Sequence, residues 1–207
     1  MKQIALVLFI GFALSLCNLS ERLHKGSGSS SNSSGGVTDN AAKPEPAQPT
    51  AAQTAALAGG SEAKWDRQGM SFTVPPNWTE TQEESKNLTW QSPGPGAASL
   101  IVSISPMAGE FPVDASIQAF FDGAKTRAQN GEVDELKWVE IDGVKGVQFR
   151  EAVPEHPDGH RRLQWLAYRT YTGQVQMVNV MLASEGKDFE RHKDAMYGIL
   201  YSLKLAH

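Results

Sequence analysis

A chain of 207 residues, 40% hydrophobic and 20% charged, has the material for one ordinary domain with appendages. Its formal net charge of -4 repels phosphate backbones, and no basic run offsets that, so nucleic acid is not an expected partner. The single cysteine, Cys17, excludes an internal disulfide and any multi-cysteine metal site.

Residues 1–17, MKQIALVLFIGFALSLC, carry one positive charge at Lys2 and then run apolar from Ile4 to Leu16. A run of about 13 residues has the length of a signal-peptide core and is shorter than the roughly 20 that a spanning helix needs. Export is therefore expected. Leu14, Ser15, Leu16 and Cys17 resemble the lipobox of bacterial lipoproteins, a resemblance that implies a diacylglyceryl group on Cys17. Leu16 is bulkier than the small residue a lipobox has before its cysteine. Three readings stand side by side: a lipid anchor at Cys17, an uncleaved signal anchor, and ordinary cleavage. The first two hold the protein at the cell-envelope membrane, facing the periplasm or the exterior.

From Asn18 to Gly60 the composition shifts to Ser, Gly, Pro and Ala, as in GSGSSSNSSGG and AAKPEPAQPTAAQTAALAGG. Such text buries too little surface to offset ordering entropy, so residues 18–60 are expected to be a disordered linker. The globular domain then occupies residues 61–207.

Within it, Met70 to Val74 alternates apolar and polar residues and stops at Pro75 and Pro76, which predicts a short strand. Asn87 to Gln91 and Ala98 to Ser105 predict two more. Ile117, Phe120, Phe121, Ala124 and Ala128 form one helical stripe, with Asp114 as the expected N-cap and Asn130-Gly131 as the stop. Leu136–Ile141 and Val144–Val153 flank Asp142-Gly143, the strongest short-range hairpin signal in the chain. Arg161 to Ser184 reads as two long strands around Thr172-Gly173. Four strands in succession predict an antiparallel meander. A last helix starts near Asp188 and places Phe189, His192, Met196, Ile199, Leu200 and Leu203 on one face, with Gly198 there for close packing on a sheet. Because the 161–184 pair is apolar on both faces, each face needs a cover. The expected fold is α+β, a three-layer α/β/α sandwich on a central antiparallel sheet of about six to seven strands.

Phe72-Thr-Val-Pro-Pro-Asn-Trp78 is similar to the F-x-[VY]-P-x-x-W opening of PsbP-like domains, and Phe189 to Leu205, FERHKDAMYGILYSLKL, is similar to their closing helix. The resemblance covers residues 65–205. It implies an antiparallel sheet with helices on both sides, and it brings no active-site motif.

Candidate chemistry is sparse. Glu155, His156, Asp158 and His160 share one loop and have the donor types of a divalent-metal site. Solvated turns collect the same residues, so a metal there is the alternative reading. Arg161, Arg162 and Arg169 make either an anion site or strand-face ion pairs. His192, on an apolar stripe, is expected at a boundary, bonded to backbone. Trp78 and Trp165 are assigned to the core; a surface cluster of Trp65, Trp90 and Trp138 would mark a binding patch. No cofactor motif and no nucleophile motif is present, so no enzyme is expected. The leading expectation is a membrane-tethered, non-enzymatic domain that binds a protein partner or assists assembly, and a structural, oligomerising envelope protein is the other alternative. Metabolic labelling with a fatty-acid analogue should mark the wild-type chain and leave Cys17→Ala unlabelled; label retained on the variant contradicts the lipid anchor.

Overall fold

The computed structural model describes residues 43–152 and 159–206. In chain order the elements are β1 (Glu45–Pro46), α1 (Ala51–Ala56), β2 (Ser61–Trp65), a 3-10 turn (Asp66–Gln68), β3 (Met70–Val74), β4 (Thr79–Glu83), β5 (Asn87–Gln91) and β6 (Ser99–Pro106). Then follow α2 (Val113–Gln129), β7 (Val133–Ile141), β8 (Val144–Glu151), β9 (His160–Tyr171), β10 (Gln174–Glu185), α3 (Phe189–Tyr201) and β11 (Lys204–Leu205).

The main sheet has eight strands in the order β1-β7-β8-β9-β10-β6-β5-β4, and β11-β3-β2 form a second sheet of three. The expected meander is present as β7-β8-β9-β10, with both predicted turns in place. Asp142 and Gly143 have φ of 49° and 81°, and Thr172 and Gly173 have 50° and 79°, the paired positive angles of type I′ hairpins. Asp142 also ties β11 to the hairpin tip, because its carboxylate accepts from the Leu205 backbone N–H at 2.8 Å.

Side-chain alternation sends two cores to opposite faces of the sheet. On one face Leu163, Trp165 and Ala167 of β9 and Val178, Val180 and Leu182 of β10 meet α3 and the small sheet. On the other, Ile117, Phe121 and Ala124 of α2 pack on Leu136, Trp138, Val147 and Phe149. This is the three-layer sandwich, with more strands than anticipated because β1, β2, β4 and β11 announce themselves weakly; the expected strand Met70–Val74 is present as β3, in the small sheet and not in the central one. Thr79–Glu83, TETQE, is exposed throughout, so it has no apolar alternation to read.

Three local expectations need correction. Residues 43–60, assigned to the linker, instead carry β1 and α1. Ala47 and Leu57 are packed against the core, and a capping box between Thr50 and Gln53 starts the helix. Helix α2 starts one residue before Asp114, with Pro112 at the N-cap and no side-chain cap; Asp114 lies in the first turn, where its carboxylate suits the helix dipole. Gly198 admits α1 and not the sheet, since a Cβ there would stand 2.8 Å from the Gln53 carbonyl oxygen and 3.0 Å from Leu57 Cγ.

The tightest approach in the main sheet is at Gly146. A Cβ there would meet Trp165 Nε1 at 2.4 Å and the Leu166 carbonyl at 2.8 Å, while Trp165 is fully buried and donates to the Val139 carbonyl at 3.3 Å. Gly146→Ala should therefore cost at least about 2 kcal/mol. Gly123, inside α2 with nothing within 4 Å, is the contrast: its change to Ala should gain up to about 1 kcal/mol. Urea unfolding of both variants measures the two shifts.

Candidate functional site

Of the proposed metal ligands, Glu155, His156 and Asp158 lie outside the described residues, as does Cys17. His160 is exposed at the start of β9, opposite Glu185 on β10. Among the described residues no group of three or more His, Cys, Asp and Glu converges on one point. His192 sits where expected, with Nε2 2.9 Å from the Gly96 carbonyl oxygen. Arg191 donates to the carbonyls of Pro95 and Gly96 at 3.0 and 3.1 Å, so this end of α3 latches the loop before β6.

The three arginines are structural. Arg161 is 3% exposed, and each of its three nitrogens is bonded: to Asp134 at 2.6 Å, to Glu190 at 2.8 Å and to the Glu151 carbonyl at 2.7 Å, with its guanidinium 4.3 Å from the Phe189 ring. Arg162 and Arg127 both hold the Glu151 carboxylate, the latter at 2.8 Å. Arg169 has no carboxylate partner in the ion pairs found among the described residues. It donates to the carbonyls of Gln68 and Ala206 and to Gln176 Oε1, and its guanidinium stacks 4.6 Å from the Tyr171 ring. That arrangement pins the turn before β3 and the chain after β11 to the main sheet. Its two terminal nitrogens are engaged by the protein, while Nε is buried without a hydrogen-bond partner among the described residues.

The tryptophan patch does not form. Trp65 and Trp165 are fully buried, Trp138 and Trp78 are 4% and 8% exposed, and Trp90 packs edge-on to Phe72 at 6.4 Å. Trp138, a member of the candidate surface cluster, instead stacks on Phe121 at 4.9 Å with the rings 12° from parallel.

What sequence reasoning missed is an area with no cover. Helix α2 packs over β7, β8 and β9, and no described helix lies over the same face of β10, β6 and β5. That half of the sheet presents Val175, Met177, Asn179, Met181 and Ala183 from β10. Beside them stand Ser99, Ile101, Ser103 and Ser105 from β6 and Asn87 and Thr89 from β5. None of these is ionisable, and all are half-buried; Glu185 follows on the same face at the end of β10, opposite His160 and paired with Lys187 at 2.8 Å. Gln164 Nε2 donates to Asn179 Oδ1 at 2.7 Å across its middle. The area is bounded on one side by α2, whose Phe120 and Arg127 lean toward β8 through Phe149 and Glu151. At one end Phe111 packs on Tyr168 at 5.3 Å, and burial pushes the Tyr168 phenol up. At the other stands the knot of Glu151, Arg162 and Arg127. The alternation in β10 contained this signal: Met177 and Met181 are apolar residues on the face opposite the core.

The knot gives a pH handle. Burial pushes the Glu151 carboxyl up, but hydrogen bonds and charge from Arg162 and Arg127 outweigh it and hold the group below its ordinary value of 4.5. A depressed folded value means stability present above the unfolded pKa and lost as pH falls through the folded one. Glu151→Gln should therefore be less stable at pH 7 and should show a shallower loss of urea midpoint between about pH 5 and 3.

No family model and no curated protein sequence matches this chain. Among solved structures, LpqN of Mycobacterium tuberculosis, described as involved in cell envelope biogenesis, matches at 13% identity and a TM-score of 0.55. That match covers 72% of this chain and 86% of LpqN. Cyanobacterial PsbP from Synechocystis matches at 13% identity and a TM-score of 0.48, over 71% of this chain and 92% of its own. The Ran-binding protein Mog1p of Saccharomyces cerevisiae matches at 12% and 0.43, over 71% and 95%. At these identities the likeness is one of fold alone. The antiparallel sheet with helices on both sides, expected from Phe72–Trp78 and Phe189–Leu205, is observed, and the likeness to LpqN brings no residue role with it.

Proposed function

We propose that this protein is a non-enzymatic binding domain, held at a bacterial envelope membrane through Cys17, whose uncharged half-sheet docks a protein partner. The observation that carries the reading is the open face of β10, β6 and β5. On a chain that is 20% charged, the stretch of this face from Val175 to Ala183 and its neighbours on β6 and β5 carries no ionisable side chain, and the first charge, Glu185, stands at its end. Depletion of charge is what distinguishes the core of an interface from ordinary surface. Met177 and Met181 at its centre are unbranched and polarisable, suited to repacking against a partner. The polar members, Asn179, Ser103 and Gln164, supply hydrogen-bonding groups without the desolvation cost of a charge.

Two further lines support the setting. The apolar run before Cys17 has signal-peptide proportions, and the protein of like fold from Mycobacterium tuberculosis is described by its place in envelope biogenesis. Among the described residues no helix is long and apolar enough to cross a membrane, so in this reading attachment rests on the N-terminal segment. At the end of the sheet near the start of β9, Arg161, Arg162, Arg127, Asp134 and Glu151 are committed to structural pairs.

Met181→Arg places a charge in the middle of the open face without touching either core. It should leave the thermal midpoint within a few degrees of wild type and abolish co-purification of the partner from detergent-solubilised membranes. Gln118→Arg, on an exposed turn of α2, should leave that partner bound. Equal recovery with both variants contradicts the assignment.

A further inference from the structure

A second surface lies at the opposite edge of the main sheet, where residues 43–60 are laid across the domain like a clasp. Its attachment is slight. β1 pairs in parallel with β7 at two positions, Glu45 opposite Val139 and Pro46 opposite Glu140, and the Ala47 N–H adds one bond to the Glu140 carbonyl at 2.8 Å. Helix α1 has six residues, none of them buried, and meets α3 through Leu57 and the notch at Gly198. Its N-terminus is finished internally: Gln53 N–H donates to Thr50 Oγ1 at 3.3 Å and Thr50 N–H to Gln53 Oε1 at 2.9 Å.

Although α1 sits close against Gly198, the strand end of the clasp has open space beside it. Two cavities of about 370 and 240 Å³ flank the clasp, and Gln48, Lys137 and Tyr201 line both. The charged groups beneath find partners that do not belong to the clasp. Lys137 pairs with Glu135 at 3.3 Å and lies 5.9 Å from the Tyr201 ring, and Arg150 bonds Asp134 at 2.7 Å and Tyr197 Oη at 3.3 Å. Lifting the clasp therefore strands none of these buried charges. It does uncover a nine-residue edge strand, β7, on which β1 occupies two positions.

We propose that the clasp opens while the domain stays folded, and that the vacated edge of β7 and the notch at Gly198 dock a partner-protein segment built on the same plan. That plan is read from the clasp itself: a few extended residues, a Thr or Ser cap, one uncharged helical turn of small residues, and a closing leucine. Strand addition to the β7 edge supplies backbone hydrogen bonds, and the notch, which admits a helix only because Gly198 lacks a Cβ, supplies selectivity. Because this surface is separate from the half-sheet, either can fail without the other.

Hydrogen exchange on the full chain tests the opening. Amides of Ala47 and of residues 54–57 should exchange about 100-fold faster than those of the β9–β10 ladder. Docking is tested with a fluorescent peptide of residues 43–58 and the full-length Leu57→Asp variant, in which the attached clasp is weakened. The peptide should bind this variant, and a peptide carrying the same Leu57→Asp change should bind at least about tenfold more weakly. Exchange at the clasp as slow as in the ladder overturns the opening. Absence of peptide binding to a folded Leu57→Asp chain, or binding indifferent to the peptide's own leucine, overturns the docking site.

Discussion

Strands β9 and β10, each of twelve residues, run antiparallel in unbroken register from His160 opposite Glu185 to Tyr171 opposite Gln174, and the rest of the fold hangs on that pairing. Because side chains alternate, the register sends Leu163, Trp165, Ala167, Val178, Val180 and Leu182 to one face together. A slip of one residue would turn all of them outward, so the type I′ turn at Thr172-Gly173 and the apolar pattern must agree, and they do. The neighbouring strand is adjusted to the same pair: Gly146 gives up its side chain to make room for Trp165.

The two faces of this hairpin are treated unequally. One is sealed by α3 and the small sheet, with Arg169 gathering the carbonyls of Gln68 and Ala206 where the layers meet. The other is sealed only as far as α2 reaches, over β7 to β9. A sheet that is apolar on both sides and covered on one and a half leaves a remainder. Here the middle of the remainder is kept free of charge, with Glu185 at its end, at some risk of non-specific association, since exposed apolar area attracts more than one kind of partner. That combination is what the proposed docking role explains.

Much of the fold was legible in the sequence because its main elements follow strong local rules. Asp142-Gly143 and Gly173 suit the positive φ of tight hairpin turns, although β-branched Thr172 does not; the Phe-rich stripe of α2 repeats at helical spacing, and Asp188 stands at the N-cap of α3. His192 bonded to a backbone carbonyl was also readable, since an imidazole on an apolar stripe needs a partner. The rest was hidden for physical reasons. Ala51–Ala56 has linker composition, and only its docking at Gly198 makes it a helix. Thr79–Glu83 is a strand because β5 offers it a ladder. The burial of Trp138 depends on a stack with Phe121, which is distant in the chain, and the open half of the sheet depends on where α2 ends its coverage; neither is encoded locally.

Whether the uncharged face of β10, β6 and β5 is a protein-binding surface can be read from a photo-activated cross-linking residue introduced at Met177, in the full chain in its native membranes. The same residue at Lys64, on the small sheet, serves as reference. One discrete protein adduct is expected from position 177 and none from 64. Adducts of equal yield from both positions, or none from 177 in a folded chain, would contradict a docking role for this face.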